Sequence, residues 1–240
     1  MFRWLRGDRR ERPGKPVPLI HFSGEPEDLP LLLPGDGRRL FSLYGPLNDL
    51  GAFVGQLQIL GVPRDKLPHD FRSLAALESY CGSIEGEGHA LFRDNNGQLA
   101  DTIVQDAIRG CHVLGFSDLR QIIEDFVAVL EEDTRWKGIV PNEDRISRIN
   151  GTYEALDKRL YGLKLSDAEA AEIPSLLPAP FREQATALLA KPDFYSSNPY
   201  YVRGMVWVLN APALTWYTGP GYWDQVRHLA KLLSSSSSER

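Results

Sequence analysis

At 240 residues, with 42 % apolar and 25 % charged residues, the chain can bury a substantial core without metals or disulfides, which excludes disorder as the default state. The formal charge of −5 is unevenly spread: residues 1–16 hold four more basic than acidic residues, whereas Asp101 to Glu172 hold 15 acidic against 9 basic. Such a body disfavours direct binding to nucleic-acid phosphates and would steer a basic partner instead.

Cys81 and Cys111 are too few for a disulfide framework and fit a reducing, cytoplasmic setting. No apolar run approaches the roughly 20 residues of a membrane helix, and the basic N-terminus lacks the apolar stretch of a signal peptide, so no membrane association is expected.

Pro13, Pro16, Pro18, Pro26, Pro30 and Pro34 make residues 1–45 a loop-rich arm that breaks helices and strand ladders, with the basic first segment flexible. From residue 46 the pattern becomes helical. Leu50, Phe53, Val54, Leu57 and Leu60 share one face of a helix that Gly61 and Pro63 end. Leu74, Leu77, Cys81, Ile84, Gly88 and Leu91 form a second stripe that runs into "GEGHALFRDNNG", residues 86–97. Gly88 lies on that stripe, where a neighbouring backbone can approach, and the Asp-Asn-Asn-Gly end makes a turn into the next helix. Glu85, His89 and Arg93 recur at four-residue steps and read as an exposed polar ladder.

Leu99, Ile103, Ala107, Cys111 and Leu114 then predict a helix closed by a left-handed Gly115, with Ser117 as N-cap of an antiparallel partner burying Leu119, Ile122, Ile123, Phe126 and Leu130. A helix starting at Asn142 presents Ile146, Ile149, Tyr153, Leu156 and Leu160. Ser166 and Glu169 make a capping box for a short helix that Pro174 ends, and Pro180 opens another that buries Phe181, Ala185, Leu188 and Leu189. Residues 193–233 form an aromatic-rich extension ending in a helix with Trp223, Val226, Leu229 and Leu233 inward, before a disordered Ser-rich tail at 234–240. Strand signals are scarce. The reading is an all-α compact helical bundle, residues 46–192, between the arm and the extension.

Chemical signatures are weak. Cys81, His89, Cys111 and His112 lack metal-ligand spacing, and both cysteines lie on apolar stripes, as small core residues do. The Gly-rich stretch follows a helix rather than a strand, has no Lys and carries Glu85 and Glu87, a poor match to a phosphate loop. Neither cofactor nor metal nor catalytic residue is expected. Carboxylates at a helix C-terminus, as Glu131, Glu132 and Asp133 are, oppose the helix dipole and hint at a binding surface.

The order of these features resembles the DNA mimic protein 19 family over about residues 70–165. Gly86, Leu91, Phe92, Asp94 and Gly97 match a family motif that resembles N-G-G-F-x-Q-F-F-x-N-x-x-G; Glu85, Glu87, Gly88 and Ala90 depart from it. Leu156, Asp157, Leu160 and Tyr161, within "LDKRLYGL", match a later motif that resembles L-D-x-x-F-Y. The resemblance implies an all-helical fold that presents acidic side chains in place of DNA phosphates to a DNA-binding regulator. The expected function is a non-enzymatic interaction module whose partner, another protein such as a basic DNA-binding regulator, meets Asp118, Glu124, Asp125, Glu131, Glu132 and Asp133, and a homodimer is a separate possibility. The alternatives are an enzyme or small-molecule-binding protein using the aromatic extension with Cys/His chemistry, and a toxin-immunity protein.

Overall fold

The computed structural model describes residues 18–97, 99–191 and 198–235. The basic first segment and the end of the Ser-rich tail lie outside them, as does the start of the aromatic extension. Among the described residues the chain is all-α, with nine α-helices and one two-stranded parallel sheet. None of those helices is long and apolar enough to cross a membrane.

The first helix, α1 (Gly45–Ile59), buries Leu47, Leu50, Phe53, Val54 and Leu57, but Leu60, expected on the same face, is its exposed C-cap before a left-handed Gly61. The long helix α2 (His69–Asn96) packs along α1 and along α3 (Leu99–Val113). Between α3 and α4 (Ser117–Glu132) the hairpin closes as predicted at Gly115, whose φ of 61° suits glycine. The Phe116 N–H reaches back to the Cys111 carbonyl at 2.9 Å, the six-residue closure of a helix C-terminus. That closure draws Phe116 inward as the residue preceding α4, so Ser117 is not the N-cap: its hydroxyl turns toward Asp118.

Helix α5 (Glu143–Tyr161) starts on the Asn142 cap, whose side chain accepts the Arg145 N–H at 2.9 Å, and buries Ile149, Tyr153, Leu156 and Leu160. The Ser166 and Glu169 capping box opens α6 (Asp167–Leu176). Pro174 does not end that helix. A proline removes only its own N–H bond and has a helix-compatible φ, so the last turn continues to Leu176. After a 3-10 turn at Ala179–Phe181, α7 (Arg182–Leu189) buries Ala185.

The largest difference from the sequence reading is in the arm. Leu31, Leu32 and Leu33 are fully buried, and β1 (Leu32–Pro34) pairs in parallel with β2 (Thr215–Tyr217), Leu33 facing Trp216 in register. Pro30 precedes this strand and Pro34 is its last residue, positions that an edge strand tolerates. The extension supplies α8 (Pro199–Leu209) and α9 (Pro220–Ser235). Tyr222, not Trp223, joins Val226, Leu229 and Leu233 inside, leaving Trp223 exposed; the helix also takes in Ser234 and Ser235 from the serine run. Arm, bundle and extension contribute to one large core, and a smaller cluster joins Leu40 and Leu43 to α6, α7 and α8.

Candidate functional site

Glu85, His89 and Arg93 each turn inward, but the break at Gly88 keeps them from lying on one continuous helix face. His89 is completely buried and Arg93 nearly so, which corrects the exposed ladder. The cause is a break in α2: Gly88 leaves the helix at φ 76° and ψ 168°, and the chain restarts at His89 with a new set of unpaired N–H groups. Asp157 of α5 caps the restart, accepting the His89 backbone N–H at 2.9 Å. A Cβ on Gly88 would stand 2.8 Å from Asp157 Oδ2, so the close neighbour is this carboxylate rather than another backbone. Glycine therefore occupies a position set by both strain and space.

Asp157 Oδ1 also lies 2.5 Å from His89 Nδ1, and His89 Nε2 lies 2.7 Å from the Tyr80 hydroxyl. Burial lowers the His89 pKa against the opposing pull of Asp157. The neutral ring then donates from Nδ1 to the carboxylate and accepts from Tyr80, whose own pKa burial drives far up. One turn further on, Arg93 binds Asp133 through Nη1 and Asp94 through Nε at 2.8 Å. Asp133 also receives Arg135 Nε and Nη2, each at 2.9 Å, and the Tyr153 hydroxyl at 2.9 Å. Burial alone would raise the Asp133 pKa; bonds from Arg135, Arg93 and Tyr153 outweigh it and hold the carboxyl far below its ordinary value. Asp133 is thus correctly placed as a strut and not as an exposed contact, because α4 ends by turning it into the α2–α5 seam.

Glu85, half-buried before the break, accepts Tyr201 Oη at 3.2 Å and the Tyr200 hydroxyl and Asn198 amide of the α8 region. Burial raises its pKa and the two tyrosines oppose that. Tyr161 Oη donates to the Ile84 carbonyl at 2.8 Å. Of the other motif residues, Phe92, Leu156 and Leu160 are core, Gly97 is left-handed at the end of α2, Asp94 binds Arg93, and Gly86 is exposed. Leu91 is 49 % exposed, because the restart at Gly88 rotates it off the apolar stripe. Sequence reading missed Arg135 and Tyr153 as polar partners; the i, i+4, i+8 spacing of Glu85, His89 and Arg93 was the available signal, with its direction unreadable.

On the outer side of this spine lies α4. Asp118 and Glu131 are exposed, and neither forms an ion pair among the described residues. Glu124 meets Arg120 at 3.3 Å, Asp125 meets Arg159 at 2.5 Å, and Glu132 meets Arg148 at 2.9 Å. Five carboxylates over about 21 Å of helix amount to one per roughly 4 Å, against one per roughly 1.7 Å of duplex DNA. Helix α4 by itself therefore carries less than half the charge density of the duplex. Glu143, Asp144 and Glu154 of α5 are exposed too, beside the exposed Arg145, Arg148, Lys158 and Arg159.

Cys81 and Cys111 are free and buried; burial drives the Cys81 thiol far up and Cys111 to about 12, unfavourable for a nucleophilic thiolate. Both nitrogens of His89 are engaged. His112 is exposed beside Arg120. Among the described residues no group of three or more His, Cys, Asp or Glu is arranged to hold a metal. Within the extension, Tyr200, Tyr201 and Tyr222 are core residues.

Neither a curated protein nor a solved structure matches the chain. The model of one protein family does, over residues 65–178, which run from the turn before α2 through α6 and hold both motifs and the whole buried spine. That family is described as DMP19-like protein, and this segment is similar to it.

Proposed function

We propose that the protein is a non-enzymatic interaction module whose α4–α5 surface binds a basic partner, of which a DNA-binding regulator is the class the family's name suggests. One observation carries this reading: Asp157 of the later motif caps the His89 amide, and Arg93, Asp133 and Tyr153 bond to one another inside the molecule, so that α2 is fixed against α4 and α5. The outward carboxylates of α4 and α5 are what that rigid frame displays to solvent. Asp118 and Glu131 carry the largest share, because Glu124, Asp125 and Glu132 are already neutralised by arginines. The charge density fits a basic protein face better than a complete phosphate ladder. Free, buried thiols at Cys81 and Cys111 support a cytoplasmic setting.

The test is binding to a basic DNA-binding protein recovered with the native chain by cross-linking, measured across salt concentrations. Reversal of both contacts, Asp118→Lys with Glu131→Lys, is expected to weaken binding on the order of tenfold and flatten its salt dependence. Duplex DNA should compete for the same partner. Salt-independent binding would refute the electrostatic reading.

A further inference from the structure

A groove of about 700 Å³ opens between α1, α2 and α3, away from the acidic surface. Its volume is that of a small-molecule site and far larger than a lone inorganic ion requires. Arg72 of α2 lines it, forms no ion pair among the described residues, and has its Nε shielded from solvent without a hydrogen-bond partner. Arg64 lies close enough for Arg72 and Arg109 to lower its pKa, after burial as the first cause. The one acidic group among them, Asp106, is buried and shared between Arg64 and Arg109, the latter at 2.8 Å. Of these groups Arg64, Arg72 and Asp106 line the groove, a surplus of one positive charge at this end in a chain whose net charge is −5.

The shielded Arg72 Nε, left without a partner, is unfavourable unless an acceptor such as an anion completes it. Small residues make the room: Gly51 and Gly55 sit one turn apart on α1 and leave the wall open toward α2. At the far end Glu78 lies over Gly51, held by burial, and next by Glu85, at a pKa of about 7, so it can stay protonated and donate rather than repel. Thr102 and Gln58 line the mouth with further hydrogen-bonding groups.

We propose that this groove binds a small phosphate monoester of a sugar, with Arg72 and Arg64 on the phosphate and the polar wall ending at Glu78 on the hydroxyl-bearing body. Bidentate guanidinium geometry suits a phosphate dianion.

The probes are adenosine 5′-monophosphate and glucose 6-phosphate, with adenosine, glucose and inorganic phosphate as controls, titrated into the full chain by calorimetry and by arginine Nε–Hε NMR. At least one monoester is expected to bind and to shift Arg72 and Arg64, with its dephosphorylated counterpart about tenfold weaker or worse. Arg72→Gln should weaken that binding by about tenfold or more, and Arg72→Lys by less. Thermal melts of both variants separate loss of the site from loss of the fold; if Arg72→Gln melts early, the Arg72→Lys titration and the wild-type NMR map decide. The proposal is overturned if neither monoester binds by about 1 mM. Equal binding of the dephosphorylated controls, or binding of inorganic phosphate as tight as that of the monoesters, overturns it too.

Discussion

Asp133 and Asp157 show how a carboxylate in an acidic segment can be structural. Asp133 neutralises Arg93 and Arg135 in a buried site, and removing one partner of such a cluster leaves uncompensated charge. Asp133→Asn is therefore expected to destabilise the fold by about 3–5 kcal/mol in urea denaturation. The sign with pH follows from its lowered pKa: this stability is present above the unfolded value of 3.8 and is lost as pH falls through the much lower folded value. Acid unfolding of the wild type below about pH 4 should accordingly be steeper than that of the variant. Asp133 reads in sequence as the third member of an exposed Glu-Glu-Asp run. Only the seam beneath α4 distinguishes it from its neighbours, since burial depends on residues 40 positions away.

At the scale of elements, the break at Gly88 divides α2 and sets the direction of everything after it. Gly88→Ala would place a side chain at a positive φ and against Asp157, and is expected to cost about 1–3 kcal/mol with loss of the His89 cap. Faster hydrogen exchange at the His89 amide would report that loss; an unchanged amide would show that Asp157 is not the cap. Helix identities were readable from apolar periodicity, and Gly115, Asn142 and the Ser166 box were readable as end signals because they act within one turn. The inward turn of the Glu85, His89, Arg93 ladder was not, because periodicity assigns residues to a face without saying which face meets the core. Leu33 opposite Trp216 was equally hidden: a three-residue strand that ends on a proline gains its hydrogen bonds only from a segment 183 positions distant.

For the whole molecule, buried carboxylates along α1 and α2 add a pH dependence of opposite sign to that of Asp133. Burial raises Asp49 to about 6, and burial with Glu85 raises Glu78 to about 7. Raised values stabilise the protonated folded state, so this contribution is fully present below the ordinary values of 3.8 and 4.5 and is lost as pH rises through 6 to 7. Glu78→Gln should flatten the stability profile between about pH 5 and 8 in urea titrations, and an unchanged slope would contradict it. Composition, periodicity and capping residues were enough to determine an all-α chain with its helices in order, α8 excepted, because those signals are local. Which polar groups became struts, which acidic groups stayed outside, and how the arm closed against the extension were decided by tertiary structure. Each depends on contacts between residues far apart in sequence, where the cost of burying a charge is offset only by a partner the fold supplies.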